Sequence, residues 1–144
     1  MKNILVTIDF EEKAILLIEK AAEIAEKFNS KIWIVHIVAP DPDFVGYEAG
    51  PQYIRDSLAK ELRKEHKIIQ HFTQMLKERG IKAEGLLIQG ATREMILEES
   101  EKLKIDLIII GHHDHGPLYK IFAGSVAADV IEHANIPVLT VPIG

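Results

Sequence analysis

The sequence contains no cysteine, which excludes a disulfide framework, a zinc–thiolate site and thiol catalysis. Basic residues are also few: 17 Lys and Arg against 22 Asp and Glu give a net charge of −5. This balance argues against a nucleic-acid binder and against a basic membrane-binding patch. The apolar runs, such as 107–110, are far shorter than the ~20 residues that span a bilayer. The first residues also lack the pattern of an export signal, so we expect a cytoplasmic, soluble protein.

What the sequence does contain is enough apolar material for a core. The chain has 144 residues, of which 47% are hydrophobic. Domains typically have about 100–200 residues, and no linker, repeat or low-complexity tract interrupts this chain. We therefore expect one domain over 1–144.

Short apolar runs alternate with amphipathic segments along the chain. The runs are mostly continuous, as in strands covered on both faces. This alternation predicts an α/β fold with a doubly wound, mostly parallel five-stranded sheet, flavodoxin-like or Rossmann-like, and helices on both faces. The predicted strands are Ile4–Ile8, Ile32–Val38, Leu86–Ile88, Leu107–Ile110 and Val138–Val141. The predicted helices are a first one ending near Phe28, then Gln52–Arg79, Thr92–Lys104 and Ser125–His133, with Thr92 as an N-cap, Gly80 as a stop and Pro40–Pro51 as a loop.

The topology also predicts where a ligand would bind. Open α/β sheets bind ligands beyond the carboxyl ends of the strands, at the switch point of the strand order. We expect the flavodoxin-like order, with strand 1 central and strand 4 across the switch. Asp9 and Gly111 follow these two strands. No G-x-G-x-x-G or Walker motif is present, and Gln89-Gly90 after strand 3 disfavours a response regulator.

The segment from Gly111 to Val126, GHHDHGPLYKIFAGSV, is the most informative part of the sequence. It leaves a predicted strand and enters a predicted helix at Gly124-Ser125. A helix N-terminus offers free N–H groups and the positive end of the dipole to an anion. Gly124 allows close approach, and the Ser125 hydroxyl can donate to a phosphate. The same two residues are equally consistent with a turn and an ordinary N-cap.

With these residues in place, the sequence resembles the universal stress protein family over nearly its whole length. The family signature G-x2-G-x9-G-[ST] is matched by Gly111, Gly124 and Ser125. The segments NILVTID, VHIV, QGATREMIL, DLIIIG and HANIPVLTVP also match. One position departs, because Asp114 stands where the signature has its second glycine. The resemblance implies an adenine nucleotide alpha hydrolase-like fold and binding of ATP or ADP with Mg²⁺, and Asp114 puts the nucleotide in question.

The resemblance also implies roles for individual residues. Asp9 would hold the nucleoside end, and the alternative role for it is to cap the first helix. Ile37 would lie against the base, and the phosphates would meet the N–H groups of the last helix. The full set of implied nucleotide-binding residues is Thr7, Ile8, Asp9, Ile37, Ile110, Gly111, His113, Gly124, Ser125, Val126 and Ala127.

Two histidine-containing features have simpler interpretations. The run His112-His113-Asp114-His115 contains metal-ligating residue types, but neighbours on one loop rarely all point inward, so we expect no dedicated metal site. Contact between Asp114 and a Mg²⁺ that arrives with the nucleotide is the favoured alternative. His36 lies in a buried strand and is interpreted as a core histidine with its hydrogen bonds satisfied.

Three functions are compatible with these observations. The leading one is a stress or signalling protein in which adenine nucleotide changes a conformation that a protein partner reads. The alternative is the same fold without nucleotide, acting as a dimeric interaction module. An enzyme comes last, at most a slow ATPase, because no paired base and nucleophile is visible. The uncharged last strand, 137–141, predicts a homodimer through that strand.

Overall fold

The computed structural model describes residues 1–9, 13–38, 52–112 and 124–143, with only the backbone described at 52–58 and 124–125. The predicted loop at 40–51 lies outside these residues. Strands and helices alternate strictly along the described chain. They are β1 (Asn3–Thr7), α1 (Ala14–Phe28), β2 (Lys31–Val38), α2 (Gln52–Glu78), β3 (Ala83–Gln89), α3 (Thr92–Lys102), β4 (Leu107–His112), α4 (Gly124–His133) and β5 (Val138–Pro142).

The five strands form one sheet in the order β3-β2-β1-β4-β5, and every neighbouring pair is parallel. The predicted α/β class, the parallel sheet and the central position of β1 beside β4 are confirmed. The flavodoxin-like strand order is wrong, because that order is 2-1-3-4-5 and the observed one follows the Rossmann type. The reason is that the chain reverses direction across the sheet after β3, so β4 is added beside β1.

Alternation along the strands divides the core into two layers. Ile4 and Val6 of β1 pack with α1 and α2, whereas Leu5 faces α3 and α4. Both layers are built from fully buried Ile, Leu and Val side chains. Because the central strands bury both faces, their sequences read as continuous apolar runs. Among the described residues, no helix has the length and apolar character needed to cross a membrane.

The ends of two helices test the predicted stop and cap signals. Gly80 has φ +80°, its N–H donates to the Lys77 carbonyl, and the Ile81 N–H donates to the Leu76 carbonyl. This is a Schellman motif, which confirms Gly80 as the stop of α2. The predicted N-cap at Thr92 is wrong: Ala91 has the extended N-cap conformation, and Thr92 is the first helical residue.

Candidate functional site

A cavity of about 330 Å³ lies at the carboxyl ends of β1, β2 and β4. It occupies the switch point, where β1 borders β4 and the strand order reverses. The first turns of α3 and α4 contribute to its wall. The described lining residues are Thr7, Ile8, Asp9, Leu17, His36, Ile37, Thr92, Ile96, Ile110, Gly111, Val126, Ala127 and Ile143. The volume falls within the ~300–1,000 Å³ of small-molecule pockets.

The structure brings most of the sequence-predicted site residues to this one cavity. Eight of the eleven line it: Thr7, Ile8, Asp9, Ile37, Ile110, Gly111, Val126 and Ala127. Gly124 and Ser125 form the first two positions of α4, and their side chains are outside the description. His113 lies outside the described residues, as does Asp114. The assignment of these residues to a nucleotide stays a prediction, but their convergence on one cavity is a structural fact.

The cavity combines apolar walls with a few polar groups, which is the usual make-up of a small-molecule site. Eight aliphatic side chains supply the walls, those of Ile8, Leu17, Ile37, Ile96, Ile110, Val126, Ala127 and Ile143. Thr7, Asp9, His36 and Thr92 supply the polar groups of the lining side chains. Such a lining suits a ligand with a flat apolar part and a few hydrogen-bonding groups.

The end of β1 is held by β2 through both peptide groups of Ile8. Its N–H donates to the Val35 carbonyl at 3.0 Å, and its carbonyl lies 2.6 Å from Nδ1 of His36. His36 thus has the hydrogen bond expected of a core histidine. However, its side chain is 15% exposed and lines the cavity, so it belongs to the site as well as to the core.

Gly111 lets two lining side chains close the floor of the cavity. A Cβ at this position would lie 2.7 Å from Cδ1 of Ile143 and 3.4 Å from Cδ1 of Leu17. Ile143 is in turn tied to β4, because its N–H donates to the His112 carbonyl at 2.9 Å. The glycine of the family signature therefore has a packing role in this chain: it leaves space for Leu17 and Ile143.

An arginine joins the first turn of α3 to α4. Arg93 follows Thr92, bonds Glu94 at 2.8 Å and lies 4.0 Å from Asp129 of α4. The pKa of Glu94 is lowered, first by the hydrogen bond from its own backbone N–H and then by Arg93. The ion pair therefore connects the start of α3 to the middle of α4, where both side chains are exposed.

Five lining residues are missing from the predicted site: Leu17, His36, Thr92, Ile96 and Ile143. The sequence could have predicted Thr92 and Ile96 as site residues, because α3 starts directly after a strand whose carboxyl end lies at the same edge of the sheet. No sequence pattern predicts Leu17 and Ile143 as site residues, because their positions depend on how α1 and the C-terminal residues pack over β4.

Of the histidine-rich run, only His112 belongs to the described residues. Its Nδ1 atom is buried and has no hydrogen-bond partner. Across residues 1–9, 13–38, 52–112 and 124–143, no three potential ligands among His, Cys, Asp and Glu cluster as a metal site would require. The other members of the run, residues 113–115, lie outside this part of the chain.

Comparison with known proteins identifies relatives of this chain. The model of the Universal stress protein family matches residues 1–142. The chain is 32% identical to Universal stress protein MJ0531 of Methanocaldococcus jannaschii, covering 97% of this chain and 81% of that protein.

Two solved structures share the fold. The universal stress protein from Archaeoglobus fulgidus in complex with dAMP is 21% identical, with a TM-score of 0.69 and 97% of each chain covered. The Arabidopsis thaliana family protein At3g01520 with AMP bound is 18% identical, with a TM-score of 0.71 and coverage of 100% of this chain and 93% of that one. The match of the family model over almost every residue, together with the relative above 30% identity, shows that this chain belongs to the universal stress protein family.

Proposed function

We propose that the protein binds an adenine nucleotide in the cavity at the β1–β4 switch point. The observation that carries this proposal is the meeting of Asp9, Ile37, Gly111 and the first turn of α4 around one cavity. These positions come from different parts of the sequence, and the fold brings them to one edge of the sheet. The bound dAMP and AMP of the two solved structures belong to those proteins, and they support the same ligand class here.

The chemistry of the lining suggests how the nucleotide would lie. The aliphatic walls from β2 and β4, Ile37 and Ile110, suit the faces of an adenine ring. The Asp9 carboxylate suits a ribose hydroxyl or an exocyclic amine as donor. Val126 and Ala127 bring the first turn of α4 to the cavity, where backbone N–H groups favour phosphate oxygens. The proposed ligand is ATP or ADP with Mg²⁺, and its binding would change a conformation that a partner protein reads in stress response or signalling.

Calorimetric titration tests this function directly. AMP, ADP and ATP are each added to the protein with and without Mg²⁺, and a thermal scan with millimolar ligand reports the stabilisation expected from mass action. Asp9→Ala should weaken binding by about 1–3 kcal/mol through the loss of a hydrogen bond between its carboxylate and the nucleoside. Glu23→Ala, which removes an equal charge from the exposed face of α1, should leave affinity unchanged. Flat titrations with all three nucleotides would contradict the proposal.

Asp114 provides a second test, on a residue outside the described part of the chain. A carboxylate beside a triphosphate repels it by a few kcal/mol at ~4–6 Å and an effective dielectric near 20. Asp114→Gly should then tighten ATP more than AMP, with a gain that shrinks in high salt. If a Mg²⁺ ion bridges Asp114 to phosphate instead, the variant should lose affinity in Mg²⁺ and change little in EDTA. If Asp114→Gly and wild type bind ATP and AMP equally well under every condition, Asp114 does not act on the bound nucleotide.

The second candidate function is a dimeric interaction module, and one observation favours it. β5 is an edge strand of the sheet, and it carries no charged residue. Uncharged edges invite pairing with another chain, so we propose a homodimer through this strand. Light scattering at micromolar concentration should give twice the chain mass, and Thr140→Lys should shift the protein toward monomer. A dimer that binds no nucleotide would favour this function over the first.

A further inference from the structure

The strand β3 forms the edge of the sheet that lies opposite β5. Along a parallel strand, the backbone groups of successive residues point alternately to the two sides. The Lys82 carbonyl accepts from the Ile32 N–H and the Gly90 N–H donates to the Val38 carbonyl, so the even-numbered positions face β2. The peptide groups that point away from the sheet therefore belong to the odd-numbered positions of β3, which are Ala83, Gly85, Leu87 and Gln89.

The outward side of β3 has little protection against pairing with another strand. Within the described ranges, neither Gly85 nor Leu87 donates a backbone hydrogen bond outside the β2–β3 pair. Proteins usually protect such edges with charged side chains, proline or a bulge. The charged residue of β3 is Glu84, and its carboxylate is bonded to Lys31 Nζ at 2.9 Å. Because residues 85–88 are uncharged, β3 can accept a further strand.

A groove of about 450 Å³ lies along this edge, between β3 and the flank of α2. We call it the α2–β3 groove. On the strand side, Ala83 and Gly85 leave room because they carry a methyl group and no side chain. Helix positions 66 to 77 cover about 16 Å at 1.5 Å per residue, which is the length of about five residues of an extended peptide. The helix side is polar and is formed by His66, Gln70, Thr73, Gln74 and Lys77.

One end of the α2–β3 groove is basic. A second cavity of about 400 Å³ adjoins it there and shares two lining residues with it. The described lining of this cavity contains three lysines, Lys31, Lys77 and Lys82, and no acidic residue. Glu84 borders the groove itself, but its register partner is Trp33, whose side chain belongs to the layer that faces α3 and α4. On a chain with a net charge of −5, this local excess of positive charge favours an acidic ligand.

We propose that the α2–β3 groove binds an extended acidic segment of a partner protein as an added strand of the sheet. The outward peptide groups of β3 supply the main-chain hydrogen bonds, and every second side chain of the segment lies against α2. Acidic side chains at one end of the segment meet Lys77 and Lys82. A second copy of this chain is a poor occupant, because β5 carries no charge and Glu84 of β3 is already paired.

This docking surface is independent of the proposed nucleotide site. The groove and the nucleotide cavity share no lining residue among those described. Docking therefore needs no bound nucleotide, and a failure of nucleotide binding leaves the docking experiments below unaffected.

Fluorescence anisotropy with short labelled peptides tests the docking. Each probe has about seven residues, which at ~3.3 Å per residue matches the length of β3. One probe carries two glutamates before a Thr-Val-Thr-Val-Thr core, and the other carries them after it. One of these acidic probes should bind at least about tenfold more tightly than its counterpart with two lysines. Methylation of alternate backbone nitrogens of the tighter probe should abolish binding. If neither acidic probe binds, or if the lysine probes bind equally well, the proposal is overturned.

Charge reversal on the protein tests the position of the acidic end. The double variant Lys77→Glu, Lys82→Glu should weaken the tighter acidic probe by about tenfold or more, because two attractions become repulsions. The matched control is Lys64→Glu, Lys67→Glu, which changes the net charge equally at two exposed positions of α2 outside the groove lining. The control should keep most of the wild-type affinity. Equal weakening in both double variants would show a response to net charge alone and would overturn the site.

Hydrogen exchange measured by NMR tests the strand pairing itself. In the free protein, the N–H groups of Gly85 and Leu87 should exchange faster than those of Leu86 and Ile88, which face β2. The tighter acidic probe should slow exchange at Gly85 and Leu87 by at least about tenfold and change Leu86 and Ile88 little. Binding without this alternating pattern would overturn the added strand. Protection of Gly85 and Leu87 in the free protein would also overturn the proposal, because a second copy of the chain would then already cover the edge.

Discussion

Polar groups at the amino ends of the strands are hydrogen-bonded to one another, whereas those at the carboxyl ends surround a cavity. At the amino ends of the strands, Asp106 Oδ2 accepts the backbone N–H groups of Lys2 and Asn3 at 2.8 and 2.9 Å. The Asn3 side chain accepts from the Trp33 indole and donates to the Lys104 carbonyl. At the carboxyl ends, a cavity replaces this network, and Glu65 Oε2 and His112 Nδ1 are buried without hydrogen bonds.

This difference separates stability from function within one sheet. Polar groups that are paired with one another stabilise the fold but have no capacity left for a ligand. Polar groups around a cavity reduce packing, and each unpaired one carries a desolvation penalty. Parallel strands place all their carboxyl ends on one edge, so the penalty and the binding capacity are concentrated there. Substitutions at the two ends should therefore affect different measurements.

The largest effect on stability is expected from Gly85→Ala, at the packing of α2 on β3. The added Cβ would clash with the Ile69 side chain and lie 3.1 Å from Thr73 Oγ1. Ile69 is only 1% exposed, so overpacking should reduce the free energy of unfolding by about 1–3 kcal/mol. Urea unfolding should show a lower midpoint with an unchanged slope, while nucleotide affinity of the folded protein stays the same. A urea midpoint equal to that of the wild type would show that α2 shifts away from β3 at no cost in stability.

Gly111→Ala makes a methyl substitution at the other end and should have the reverse signature. Its Cβ would displace the Cδ1 end of the Ile143 side chain, 2.7 Å away, and would make an ordinary contact with Leu17 at 3.4 Å, so the unfolding midpoint should change little. Both side chains line the cavity, and one methylene in a pocket is worth about tenfold or more in binding. Calorimetry should show this loss for AMP and adenosine alike. Unchanged affinity would place the nucleotide away from this wall.

Asp106→Asn tests the network at the amino ends. Hydrogen bonds from the Asn3 and Lys2 backbones lower the pKa of Asp106 below its ordinary value of 3.8. The stabilisation is therefore present above that value and is lost as the pH falls through the lower folded-state value. Because the carboxylate is exposed, screening reduces the expected loss to about 1 kcal/mol at pH 7. In urea unfolding, the difference in unfolding free energy between variant and wild type should disappear near pH 3. A difference that does not change with pH would contradict this prediction.

The smallest effect is expected from Arg79→Ala, at the end of α2. Arg79 bonds Glu19 and Glu26 of α1 at 3.0 and 2.9 Å, and these bonds raise its pKa. All three side chains are substantially exposed, so the pairs contribute little and are screened by salt. The melting temperature should drop slightly in low salt and match wild type in 1 M salt. A large loss that persists in high salt would show a packing role for the arginine stem.

Much of the fold could be predicted because local sequence patterns determine where strands and helices form. The continuous apolar runs placed all five strands, and Gly80 placed the end of α2. The errors have physical causes: Thr92 was expected as a cap, yet the preceding Ala91 already has the cap conformation. Strand order could not be read from apolar periodicity, because the flavodoxin and Rossmann orders use the same alternation of elements.

The sequence by itself determined the α/β class, the parallel sheet and the family, and also which residues to inspect at the ends of β1 and β4. These depend on periodicity, on residue types at helix ends and on a spaced signature, all of which are local or linear. Only the tertiary structure decided that Leu17 and Ile143 share the cavity and that His36 lies between Ile8 and Glu65. Such contacts join residues from separate elements, and their distances depend on how helices pack over the sheet.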